Sequence, residues 1–193
     1  ALVEAIQACQ PKKSNATDAP VIVEYSQPNI AKPLGIHHIL STIIGQTIAN
    51  IYRHEGYKTI TINHIGDWGT QFGKLAVAYK KWGTKPIWKY SVDDLLSLYV
   101  RFHTEAEQDP SLEDEGRLAF KQLEGGDREL RAFWQTVVDV TMQSMERLYE
   151  RLHVHFDYTH GESFYENKMA PIIVEGRKKK VFTDGKEGAL IVE

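Results

Sequence analysis

The sequence predicts an α/β protein, a parallel sheet carrying a helical insertion, on three observations. A short β-branched run, a loop, an amphipathic stretch and a second β-branched run follow one another from Val21 to Ile62. Helical periodicity alone then governs Ser91 to Leu152. Strand-like alternation returns at His153. A β-loop-α-β opening is the start of a doubly wound parallel sheet, because a right-handed crossover helix packs back onto the strands it connects.

Each element has its own justification. "VIVEY" (21–25) is bounded by the turn residues of "SQPN" and reads as a buried strand. After Pro28 and Pro33, the positions Ile39, Ile43, Ile44, Ile48 and Ile51 recur at helical spacing, which predicts a helix from about His38 to His54. Gly56 stops it, and Thr59 to Ile62 form the second strand. Farther on, Leu95, Leu96, Leu98, Tyr99 and Phe102 share a face, and "LEDEGRLAFKQLEGGD" makes a helix ending at Gly125 and Gly126. A longer helix places Leu130, Phe133, Trp134, Val137, Val138, Thr141, Met145, Leu148 and Leu152 on one stripe. "HVHFDYT" (153–159) reads as a strand, "ESFYENKMAPIIVEGRKKK" as helix, and Val181 to Glu193 as a strand pair joined through "DGKEG".

Composition excludes several function classes. At 193 residues, 42% hydrophobic and 25% charged, the chain has the make-up of a globular protein that can bury a sizeable core. The single cysteine, Cys9, leaves no internal disulfide and no multi-cysteine zinc site, and reads as a bystander. No apolar run reaches the ~18 residues a membrane span needs, and no secretory signal is present, so a cytoplasmic protein without a membrane partner is expected. A net charge of −3 gives no global attraction to nucleic acid, although Arg177 to Lys180 form a short basic run. The first residue is not Met and "GALIVE" reads as mid-strand, so a piece of a longer protein is expected.

Chemistry-bearing residues concentrate in two stretches. The loop between the first strand and first helix gathers Glu24, Ser26, Asn29, Lys32, His37 and His38, with Gly35 before the histidines. Ligands of parallel sheets bind at the carboxyl ends of strands, where a helix start also offers free N–H groups and a positive dipole end. A carboxylate there suits a cationic ligand, and Lys32 with the helix start suits a phosphate. The same residues also fit a loop in which Ser26 and Asn29 satisfy backbone groups, Lys32 is solvated and a histidine caps the helix. "NHIGDWGTQFGKL" (63–75) sets glycines around Asp67 and Trp68 but matches neither the dinucleotide fingerprint nor a P-loop, and fits a loop packed on Trp68 as well as a ligand contact. His153, His155 and His160 lack the partners of a metal site, and adjacent helical residues such as His37 and His38 point about 100° apart, so no protein-bound metal is expected.

"VEYSQPNIAKPLGIHHILSTIIG" followed by "INHIGDWGTQFGKL", and then "LEDEGRLAFKQLEGGD" and "HFDYTHGESFY", closely resembles the arginyl-tRNA synthetases over roughly residues 20–193. These are class I aminoacyl-tRNA synthetases with a Rossmann-type catalytic domain. The resemblance implies an arginine–tRNA ligase that uses L-arginine, ATP, supplied with Mg2+, and tRNA(Arg). It implies the first half of the catalytic domain at 20–90, a helical insertion at 91–152 and a return at 153–193, with 1–19 a lead-in or the end of a preceding domain. By resemblance Glu24, Ser26 and Asn29 bind arginine, His38 and Lys32 are catalytic, and Lys32, Gly35, His37 and His38 form the ATP side. The K-M-S-K-like segment and the anticodon-binding domain of the family lie beyond this chain, so the isolated 193 residues are expected to be inactive.

One departure stands out. The class I signature is His-x-Gly-His, and Lys32, Pro33, Leu34, His38, Ser41 and Thr42 fall into register with the arginyl form of it. Gly35 stands at the place of the first histidine and His37 at that of the glycine, turning H-I-G-H into G-I-H-H. Loss of one charge-assisted contact of about 2 kcal/mol slows a reaction roughly 30-fold. Alternatively, the glycine lets the ring of His37 swing into the missing histidine's place or stack on adenine. A catalytically impaired synthetase-like protein that binds arginine or nucleotide is the competing reading.

Overall fold

The computed structural model describes residues 19–185 and 189–192; residues 1–18 of the expected lead-in at 1–19, with Cys9, lie outside the described residues. Three strands, β1 (Val21–Glu24), β2 (Thr59–Ile65) and β3 (Tyr158–Gly161), form a parallel sheet in the order β1-β2-β3. Helix α1 (Ile36–His54) crosses from β1 to β2. Four helices intervene before β3: α2 (Thr70–Trp82), α3 (Val92–Gln108), α4 (Ser111–Glu124) and α5 (Arg128–Arg151). The chain is therefore the α/β protein, a parallel sheet with added helices, that the pattern predicts, and it agrees with the Rossmann-type domain that the resemblance implies. A turn of 3-10 helix (Glu162–Lys168) and α6 (Met169–Lys178) precede the antiparallel pair β4 (Phe182–Asp184) and β5 (Leu190–Val192). Residues 186–188 of the expected "DGKEG" connection lie outside the described residues. Among the described residues no helix is long and apolar enough to cross a membrane.

The helical group carries the main core. Leu95 and Phe102 of α3, Leu75 and Phe72 of α2, Leu123 of α4 and Val137 of α5 are all at most 2% exposed. Fully burying each such side chain contributes about 1.5–3 kcal/mol. Two of the helix starts are capped by side chains. Asp127 caps α5 by accepting from the N–H groups of Glu129 and Leu130, and Ser91 caps α3 by accepting from Asp94.

Several expectations shift. The second strand runs to Ile65, not Ile62, because Asn63 and Ile65 find partners in Thr159 and Gly161, about a hundred residues away. Of the stretch 63–75, residues 63–65 belong to β2 and only 66–69 are loop; α2 begins at Thr70. Gly73 weakens the helical pattern there, but a Cβ at this position would lie 2.1 Å from the Gly116 carbonyl, so the glycine lets α2 and α4 cross closely. The strand expected at 153–159 is displaced to Tyr158–Gly161. His153 takes a left-handed conformation (φ 53°), and Val154 N–H returns to the Tyr149 carbonyl as α5 ends. The helix expected over 162–180 is α only from Met169 to Lys178.

The largest reversal concerns burial around β1 and α1. The outer face of α1 leaves Leu40, Ile43, Ile44, Ile48 and Ile51 exposed, while Thr42, Gly45, Gln46 and Ala49 are buried against the sheet. β1 alternates instead of being buried on both sides, with Ile22 60% exposed. Amphipathic period reveals that a helix has an apolar face, not what lies beside that face.

Candidate active site at the strand ends

The loop joining β1 to α1 starts where β1 ends and continues the parallel pairing beside β2. Ile30 N–H donates to the Gly66 carbonyl and Gly66 N–H to the Pro28 carbonyl, both at 3.0 Å. This fastens Asn29 next to the carboxyl end of β2. Ser26, Gln27 and Ala31 take positive φ (78°, 53° and 63°), a region non-glycine residues enter only when surroundings hold them there.

What holds them is a buried polar network. Ser26, 4% exposed, shares a 2.7 Å hydrogen bond with the Tyr149 hydroxyl and accepts from Thr42 Oγ1 at 2.8 Å. Asn63, fully buried, accepts from Gln27 N–H at 3.2 Å and donates to the Tyr149 hydroxyl at 3.3 Å. Ala31 N–H donates to Thr141 Oγ1 at 3.2 Å. Burial raises the Tyr149 phenol above its ordinary pKa of 10.0, against the lowering effect of hydrogen bonds with Ser26 and Asn63. It stays a neutral hydroxyl.

Tyr25, Pro28 and Ile30 are buried, and the segment's charged and amide side chains face outward. Glu24 is exposed and accepts from Gln27 Nε2. Asn29 and Lys32 are exposed, with the Lys32 ammonium 5.4 Å from the centre of the Tyr99 ring. Pro33 and Leu34 rest over a cavity of about 180 Å³ lined also by Val92, Thr141 and Met145.

The helix start fixes the imidazoles. Gly35 is the N-cap residue of α1, and its N–H donates to His38 Nδ1 at 3.1 Å. A ring accepting at Nδ1 carries its proton at Nε2, leaving a donor. Burial, and next the neighbouring His37, lowers the His38 pKa below 6.5, so the ring is neutral at neutral pH. The His37 ring lies 3.9 Å from that of His38, tilted 42°. A Cβ added at Gly35 would lie 2.8 Å from His37 Cε1 and 3.0 Å from its Nδ1. The His37 imidazole thus takes the room a side chain at position 35 would need.

The other stretches play structural parts. Trp68 packs edge-on against Phe120 and Trp134, with the Arg131 guanidinium 4.8 Å over its ring. Asp67 accepts from Ser163 N–H and Oγ. His153 and His155 lie in the connection ahead of β3, and His160 stacks on Phe164. Sequence reasoning placed Thr141 in an apolar stripe and passed over Asn63 and Tyr149. A threonine among leucines and valines was the one available signal that the stripe meets something polar.

Comparison with known proteins fits this geometry. The family model described as "tRNA synthetases class I (R), catalytic domain" matches residues 1–193. The arginine–tRNA ligase of Clostridioides difficile (strain 630) is 50% identical over 177 residues, covering 91% of this chain and 31% of that protein. That of Clostridium perfringens (strain 13) is 47% identical over 173 residues, covering 89% and 30%. The chain thus spans about a third of the length of these curated relatives. Among solved structures, arginyl-tRNA synthetase from Plasmodium falciparum superposes with a TM-score of 0.71 at 27% identity, over 94% of this chain and 31% of that one. The Thermus thermophilus arginyl-tRNA synthetase superposes with a TM-score of 0.68 at 24% identity, over 98% and 33%, and supports the fold. With a family match along its whole length, and a parallel sheet whose strand ends carry the expected loop, the chain belongs to the catalytic-domain family of class I tRNA synthetases (R).

Proposed function

We propose that the complete protein is an arginine–tRNA ligase acting in the cytoplasm on L-arginine, ATP and tRNA(Arg). Supporting this is one continuous segment, Glu24 to His38, presenting a carboxylate, an amide, an ammonium and two imidazoles at the carboxyl ends of β1 and β2 in a chain of this family. Residues 20–90 and 153–193 then belong to the catalytic domain and 91–152 to a helical insertion.

In this reading the arginine α-carboxylate attacks the ATP α-phosphorus in line. A bond forms from carboxylate oxygen to phosphorus, and the bond to the β-phosphate bridging oxygen breaks, releasing pyrophosphate. A hydroxyl of the tRNA's terminal ribose next attacks the adenylate carbonyl and AMP leaves. Glu24 binds the cationic end of arginine, and Asn29 orients the amino acid, with Ser26 acting from beneath the loop. Lys32 and the Nε2–H of a neutral His38 meet ATP phosphates, the nucleotide arriving with its Mg2+. No side chain forms a covalent intermediate, so rate comes from positioning and from neutralising phosphate charge. His37, packed against Gly35, supplies the imidazole that position 35 lacks.

Arginylation of tRNA by the complete protein tests this. The wild type is expected to charge arginine. Gly35→His alone should lose about ten-fold or more because its side chain displaces the His37 ring, whereas Gly35→His with His37→Gly should return to near wild-type rate. The permuted signature favours a second reading, a protein that binds arginine or nucleotide without catalysis. Arginine binding without charging, together with charging gained by the double variant, would establish that reading instead.

A further inference from the structure

Helix α5 connects the helical group to all three strand-end loops, and it does so with one face. Arg131 makes a two-point ion pair with Glu166, at 2.6 and 3.0 Å, in the turn after β3. Trp134 Nε1 donates to the Asp67 carbonyl at 2.7 Å, after β2. Thr141 accepts from Ala31 N–H, and Tyr149 bonds Ser26, both after β1. At about 100° per residue, positions 131, 134, 141 and 149 fall within an arc of roughly 80°. Thr141 and Tyr149 are 0% and 5% exposed, and the groups they hold belong to residues with positive φ. A short loop with three non-glycine residues in that region keeps its shape only while such contacts persist.

We propose that Thr141 and Tyr149 are positioning residues for the arginine and ATP site. They act through the backbone of 26–31 to set where Glu24, Asn29 and Lys32 stand. This rests on the synthetase reading, but the residues themselves touch no substrate. Removing one hydroxyl frees the loop without emptying the core.

The test compares Thr141→Val, Thr141→Ser and Tyr149→Phe in the complete protein, with Val138→Ala as a control that removes apolar packing from the same face of α5 but none of its hydrogen bonds to the loop. Thr141→Val and Tyr149→Phe are expected to raise KM for arginine about ten-fold, with Thr141→Ser near wild type because it keeps the acceptor. Val138→Ala should lower the melting temperature and leave that KM within about two-fold. Amide hydrogen exchange gives a readout independent of activity. Ala31 N–H should exchange about ten-fold faster in Thr141→Val and normally in Thr141→Ser. Unchanged exchange at Ala31, or a rise in arginine KM no larger than the Val138→Ala control, would overturn the assignment. Failure of the wild type to charge tRNA with arginine would refute the synthetase reading instead, and exchange at Ala31 would then decide whether Thr141 sets the loop.

Discussion

The helical group and the three-stranded sheet differ in how much polar chemistry they bury. Helices α2 to α5 enclose Phe72, Leu75, Leu95, Phe102, Leu123 and Val137, a contiguous apolar core. At the sheet, the apolar burial of Tyr25, Ala49, Ile65 and Val154 is joined by a set of buried polar side chains, Ser26, Thr42, Gln46, Thr61 and Asn63, while Ile43, Ile44, Ile48 and Ile51 of α1 stay outside. Apolar packing is non-directional and tolerates small shifts, whereas a buried hydroxyl or amide holds its neighbours at a fixed distance and angle. The region that carries the candidate site adds directional contacts to its apolar burial. That fits a task in which misplacement by about 1 Å costs a large factor in rate.

The sharpest test of the contrast is Phe102→Ala, which should destabilise the protein by about 3–5 kcal/mol in chemical denaturation through the cavity it leaves. A loss below about 1 kcal/mol would mean the helical core is not the main source of stability. Asn63→Ala comes next. It strands the Gln27 N–H, and removes the donor to Tyr149, so about 1–3 kcal/mol should be lost. Because the two residues share no contact, the double variant Phe102→Ala, Asn63→Ala should show additive losses to within about 0.5 kcal/mol.

Smaller effects are expected on the surface. Ile44→Lys with Ile48→Lys, at positions 50% and 41% exposed, should change stability of these 193 residues by no more than about 1 kcal/mol while reducing binding of a hydrophobic dye. Unfolding by this pair would contradict the outward placement of that face. The smallest effect is on acid sensitivity. Asp157 accepts from Thr61 N–H at 2.7 Å and Thr61 Oγ1 at 2.8 Å, with Arg53 at 3.2 Å, and these hold its pKa below the ordinary 3.8. A carboxyl with a folded pKa lower than its unfolded one contributes stability that is complete above the unfolded value and disappears as pH falls through the folded value. Asp157→Asn should therefore flatten the pH dependence of stability below about pH 4, as read by denaturation at a series of acid pH values.

Much of the candidate site is legible in sequence because its residues are contiguous. Glu24 to His38 is one stretch, and the strand before it and helix after it are marked by Pro28, Pro33 and the isoleucine period. The exchange of Gly35 and His37 was visible in the same way. Its consequence was not, since only the folded helix start shows the His37 ring lying against Gly35 and His38 Nδ1 accepting from the Gly35 N–H.

By itself the sequence determined the α/β class, the opening strand, helix and strand, the helices between Ser91 and Leu152, and the segment where ligand chemistry gathers, but not α2 at 70–82. These depend on local spacing, and local spacing is written along the chain. Tertiary structure alone decided the length of β2, the place of β3, the burial of Thr42 and Gln46 in preference to Ile43 and Ile44, and the reach of Thr141 and Tyr149 to Ala31 and Ser26. Each of those joins groups more than fifteen residues apart or depends on what neighbours a face, and periodicity carries no record of either.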